Sequence, residues 1–74
     1  MQLFQLRRSP EEESEETKLL KALYQAEKEY NVAVAYFREA TEPEIIDEAI
    51  FRMEAARRKY SYFLKRVRSC SSRN

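Results

Sequence analysis

Ala40-Thr41-Glu42-Pro43-Glu44-Ile45-Ile46 is the stretch on which the fold turns, because it separates two runs of identical rhythm. Upstream, apolar residues fall at Leu19, Leu23, Ala26, Tyr30, Ala33, Phe37 and Ala40; downstream, they fall at Ile46, Ala49, Met53, Ala56, Tyr60, Phe63 and Val67. Both series alternate steps of four and three, the period of one helix face. A strand over residues 30–37 is the rival, since Val32, Val34 and Tyr36 alternate with Ala33 and Ala35. Unbroken heptads on both sides outweigh it. Pro43 cannot donate a helical hydrogen bond and biases Glu42 away from the α region. The first helix therefore ends near Thr41, and Thr41 with Glu44 has the spacing of a capping box for the second.

Two amphipathic helices joined by so short a turn fold back on each other. The expected architecture is all-α: an antiparallel two-helix hairpin with coiled-coil-like packing, helix 1 over about 10–41 and helix 2 over about 43–68. Leu23, Ala26, Tyr30, Phe37, Ile46, Met53, Tyr60 and Phe63 are expected inside, with Ile45, Ile50 and Leu64 widening the second stripe. Asp47 is expected to face solvent. Residues 1–8 read as a flexible arm and residues 69–74, rich in Ser and Arg, as a flexible tail. Ser9, Pro10 and Glu12 have capping-box spacing, with five glutamates among residues 11–16 suiting a helix start. Thr17 is the alternative cap.

The composition excludes most chemistry. The 74 residues contain one Cys, no His and no Gly. Imidazole catalysis, Cys/His metal sites, disulfide frameworks and glycine-rich phosphate loops are all ruled out. No run approaches the ~18 apolar residues of a membrane span. A lone thiol points to a reducing cytoplasm. Cys70 lacks a His partner, so an inert thiol is the expectation. No cofactor and no small-molecule substrate are expected.

One enzyme-like pattern remains. Glu11, Glu12 and Glu15, with Glu44 and Asp47, reproduce the EExxE and ExxD letters of the all-α, MazG-type nucleoside triphosphate pyrophosphohydrolases. In a hairpin the two clusters lie at opposite ends of a helix about 40 Å long, whereas Mg²⁺ needs its carboxylates around one ion. Glutamates at two helix starts account for the same residues.

Charge is segregated although the net is only +1. After Glu54 no acidic residue occurs, while Arg57, Arg58, Lys59, Lys65, Arg66, Arg68 and Arg73 supply seven positive charges. The hairpin sets this basic half beside the glutamates of helix 1, so pairing within the chain is expected to absorb most of it. Phosphate contacts by Arg57, Arg58, Lys59, Lys65, Arg66 and Arg68 are the alternative. A second apolar stripe, Phe51, Ala55 and Tyr62, lies opposite the Met53/Tyr60 seam, with Tyr24, Val32 and Ala35 as a weaker counterpart on helix 1. A chain so short of core that carries a second stripe is expected to use it for a partner or for dimerisation into a four-helix bundle.

Residues 41–56, TEPEIIDEAIFRMEAA, followed by Tyr60-Ser61-Tyr62-Phe63-Leu64, resemble the YaaL-like family of small Firmicute proteins of unknown function. Ile46-Asp47, Ala49-Ile50, Ala55-Ala56 and the Tyr60-x-Tyr62 pair match that family's pattern in order and spacing, over roughly residues 18–68. Arg57 stands where the family often has Glu, and Phe51 replaces a usual Tyr. The resemblance implies a cytoplasmic protein with no assigned activity. Residue chemistry and resemblance together lead to the expectation of a non-enzymatic helical protein–protein interaction module. A nucleic-acid accessory using the basic half of helix 2 is the competing expectation.

Overall fold

The computed structural model describes residues 13–72, which form two helices, α1 (Glu15–Glu39) and α2 (Pro43–Ser72), packed against each other along their length. No strand occurs among the described residues.

α1 starts at a cap that neither Ser9 nor Thr17 provides. Ser14 has extended backbone (φ −69°, ψ 161°), and its Oγ accepts from the Thr17 backbone N–H at 3.0 Å. The same hydroxyl donates to Thr17 Oγ1 at 2.9 Å. Glu15 and Glu16 then occupy the first turn, where the helix dipole favours carboxylates. The Ser9–Pro10 cap and the 1–8 arm lie outside the described residues.

At the other end the Ala40 N–H bonds to the Phe37 carbonyl (3.2 Å), and Ala40 turns extended. Pro43 opens α2 in the first helical position, where its missing N–H costs nothing. The Glu42 carbonyl accepts the first helical bond, from the Ile46 N–H at 2.8 Å, so the cap position falls to Glu42 rather than Thr41. Asp47 is exposed, as its place near the start of α2 requires.

α2 continues through Ser72, past the expected end at 68, so residues 69–72 are helix and not tail. Cys70 extends the series Tyr60, Phe63, Val67 by one more step of three, and both Val67 and Cys70 are half-buried. The last turn thus has a seam residue to place against the start of α1. Glu15, Leu19, Arg66, Ser69 and Cys70 line a common cleft there.

The core is thinner than the periodicity implies. Leu19, Ala26, Ala33 and Ala49 are buried, and no large side chain is fully buried among the described residues. Leu23, Tyr30, Phe37, Ile46, Met53, Tyr60 and Phe63 are only half-buried. The reason is an asymmetry within each seam. In α1 one column is Ala26, Ala33 and Ala40, and the other is Leu23, Tyr30 and Phe37. In α2, Ala49 and Ala56 stand beside Ile46, Met53 and Tyr60. Alanines let the backbones close to the short end of the usual 8–10 Å separation. The larger column is then displaced to one side, where Tyr30 and Tyr60 stack with centroids 6.2 Å apart and planes 3° from parallel.

Candidate interaction surfaces

A two-helix hairpin has two flat faces and two outer edges, and here each carries a different chemistry. Helix geometry at about 100° per residue assigns the positions. Cross-helix contacts fix the register: residue 30 lies beside residue 60, and Tyr36 beside Glu48.

One flat face is polar and closed by the protein's own contacts. Tyr36 Oη donates to Glu48 Oε1 at 2.8 Å, and Arg52 Nε donates to Glu48 Oε2 at 2.9 Å. The Arg52 guanidinium also sits 4.6 Å from the Tyr36 ring centre. One turn of heptad away, Lys59 Nζ bridges to Glu29 Oε1 at 3.1 Å, and Gln25 Nε2 donates to Glu29 Oε2 at 3.3 Å. The hydrogen bonds from Tyr36 and Arg52 lower the Glu48 carboxyl below its ordinary range, and those from Lys59 and Gln25 do the same for Glu29. Near the turn this face opens into a cleft of about 350 Å³ lined by Tyr36, Glu39, Ala40, Thr41, Glu42 and Ile45. The charged groups of that lining are the carboxylates of Glu39 and Glu42.

The other flat face is apolar. The displaced column Leu23, Tyr30, Ile46, Met53 and Tyr60 opens onto it, and Leu20, Val34, Ile50 and Leu64 widen it on the same side. These side chains are half-buried, except Ile50, which is 39% exposed. Arg57 stands at its rim beside Tyr30, with Nη2 bonded to Glu54 Oε1 at 2.6 Å. Ile50 and Leu64, expected only to widen the seam, share one side of α2, and that common side is the signal in the sequence that a whole face is apolar.

The outer edges carry the residues singled out from sequence. On α2, Phe51 (75%), Tyr62 (51%) and Ala55 are exposed along one line. On α1, Tyr24 (62%) and Val32 (68%) are exposed on the side turned away from α2. The two groups therefore sit on opposite edges and do not make one face. Tyr62 is held in place: Arg66 Nη1 donates to its Oη at 2.6 Å, and Phe63 meets its ring edge-on at 5.0 Å.

The basic half of α2 is partly occupied. Arg57 pairs with Glu54, Lys59 with Glu29, and Arg66 with the Tyr62 hydroxyl, while Arg68 is also engaged. Arg58 and Lys65 have no such partner among the described residues, and both lie on the Phe51/Tyr62 edge. Among the described residues, the expected pairing with the glutamates of helix 1 is seen at Lys59–Glu29, in mid-hairpin, while Glu13 pairs with Lys21. Glu11 and Glu12 lie outside the described residues.

Glu15 and Glu44 begin different helices and are about 37 Å apart along α1, so Glu15 does not converge with Glu44 and Asp47 within one chain. Among the described residues no group of three or more acidic, Cys or His side chains is arranged to hold a metal ion. None of the described helices is long and apolar enough to cross a membrane.

Compared with known protein families, residues 3–73 match a family model described as "Protein of unknown function (DUF2508)". No curated protein and no solved structure matches the chain.

Proposed function

We propose, for a chain that belongs to the DUF2508 family, a non-enzymatic role as a helical protein-binding module of the cytoplasm. Self-association into a four-helix bundle with coiled-coil-like packing is part of this reading, and so is the narrower YaaL-like resemblance carried by residues 41–64. The observation that carries the proposal is the balance of burial. Phe51, Tyr62, Tyr24 and Val32 are each more than half exposed, while no large side chain among the described residues is fully buried. Aromatic anchors on a rigid helix are what protein interfaces use.

The heterologous partner would lie along the outer edge of α2. Phe51 and Tyr62 supply the anchors there, and Arg58 and Lys65 favour a partner surface that presents carboxylates beside an apolar groove. Because those same two charges have no partner among the described residues, nucleic acid is the second reading. It is the weaker one, since Arg57, Lys59, Arg66 and Arg68 are already engaged within the chain.

Affinity capture from nuclease-treated cell extract tests the proposal, with wild type, Tyr62→Glu and Arg58→Ala/Lys65→Ala run in parallel. The expected result is a protein partner lost on Tyr62→Glu and weakened, not abolished, by the double alanine variant. A bound species that disappears with nuclease treatment defeats the protein reading.

A further inference from the structure

We infer that the apolar flat face is covered by a second copy of this chain, stacked so that α1 of each copy lies over α2 of the other. This rests on the self-association reading above and specifies a surface different from the Phe51/Tyr62 edge. Three observations favour a copy over an unrelated protein.

The first is that, among the described residues, only one flat face is apolar. The opposite face is tied by Tyr36–Glu48–Arg52 and by Glu29–Lys59, so stacking stops after one partner and closes as a two-fold dimer instead of a filament. The second is size. The face defined by Leu23, Val34, Ile46, Ile50, Met53 and Leu64 is about 27 Å long by about 20 Å wide. Two copies would bury about 1,100 Å² in projection alone, above the roughly 1,000 Å² expected of a specific interface. With a net charge of +1, long-range repulsion between copies is small.

The third is the charge on the rims. Along α1 the rim carries Glu16 and Glu27, followed toward the turn by Arg38; along α2 it carries Arg57 and Arg68. The register that sets residue 30 beside residue 60 puts Arg57 at the level of about residue 33 and Arg68 at about residue 22, on either side of Glu27. A two-fold axis along the hairpin places Glu16 and Glu27 of one copy over the basic rim of the other, giving the order Glu16, Arg68, Glu27, Arg57, with Arg38 beyond. An axis across the hairpin would set the basic α2 rim on itself. Arg57 is bonded to Glu54 through Nη2, and a guanidinium has further N–H donors to reach a second carboxylate.

Sedimentation equilibrium of the full chain at micromolar concentrations tests this, with circular dichroism as the control for folding. Wild type should sediment at twice 8.9 kDa. Phe51→Glu should leave the dimer intact, and Ile50→Glu should weaken it at least tenfold. Glu27→Arg should weaken it roughly tenfold, and Glu27→Arg/Arg57→Glu should restore it to within about threefold, because the swap exchanges rims without touching the seam. A folded wild-type monomer overturns the inference and the self-association reading together, leaving the heterologous edge standing. A dimer lost on Phe51→Glu but kept on Ile50→Glu overturns the inference alone. Failure of the double swap to restore the dimer overturns the stacking order.

Discussion

Tyr36 and Glu48 are joined across the hairpin by a 2.8 Å hydrogen bond from the phenol to the carboxylate, with Arg52 bound to the same carboxylate and lying over the phenol ring. Each group biases the others' ionisation. The carboxylate holds the phenol protonated, and the phenol and guanidinium hold the carboxyl ionised.

Tyr36 should therefore titrate above the ordinary value of 10.0, because the Glu48 carboxylate disfavours a second anion beside it. A raised pKa means that this contribution to stability is complete below the unfolded value and is lost as pH rises through the folded one. Ultraviolet titration of wild type and Tyr36→Phe checks it: the difference between the two curves should be a phenolate step above pH 10.0. An unchanged titration curve apart from one ordinary tyrosine would refute it.

The acid side has the opposite sign. Glu29 and Glu48 are both lowered from the ordinary 4.5 by the donors they accept from. Their contribution is present above the unfolded pKa and lost as pH falls through the folded one, so the loss begins below about pH 4.5. Thermal melts at low salt between pH 6 and pH 2 should fall, and Glu29→Gln/Glu48→Gln should flatten the dependence. Added salt should shrink the wild-type effect, since both pairs are exposed.

The alanine column sets the helix separation, so enlarging it should be costly. Ala26 and Ala49 are 0% exposed. Ala26→Leu or Ala49→Leu forces the backbones apart and should destabilise by about 1–3 kcal/mol, a loss of roughly 4–8 °C in Tm per kcal/mol for a domain of this size. Phe51→Leu, on the exposed edge, should move Tm by little in either direction.

Periodicity made the hairpin legible, because the four-three rhythm on both sides of Pro43 admits little else. Which side of the seam is open was also written there, in the contrast between Ala26, Ala33 and Ala40 and Leu23, Tyr30 and Phe37. Counting every apolar position alike hides that contrast. A wheel of one helix shows Phe51 and Tyr62 opposite the seam, yet it cannot show that Tyr24 and Val32 end up on the far edge. That separation depends on two antiparallel helices facing each other. The end of α2 was missed because Cys70 was weighed as a thiol and not as the next seam residue.

The cap at Ser14 was missed for a similar reason, as Ser9-Pro10 has the more familiar pattern. Since Ser14 Oγ holds the Thr17 N–H, Ser14→Ala should cost about 1 kcal/mol and fray the first turn of α1. Amide hydrogen exchange at residues 15–18 would show it, whereas protection near Ala33 should fall only with global stability.

Nucleic-acid binding, if it occurs, should leave a signature that the paired charges limit. Only Arg58 and Lys65 are basic groups on the Phe51/Tyr62 edge without a partner among the described residues, so two phosphate contacts are available before any pair must break. Two contacts correspond to a slope of log K against log salt no steeper than about −1.8 on duplex and about −1.4 on single strands, and to an affinity too weak to persist at physiological salt. Titration of labelled duplex and single strands across salt should give that shallow slope or no binding at all, with Arg58→Ala/Lys65→Ala removing what there is. A slope near −4 would mean more phosphate contacts than Arg58 and Lys65 supply, and it would transfer the edge from a protein partner to a phosphate backbone.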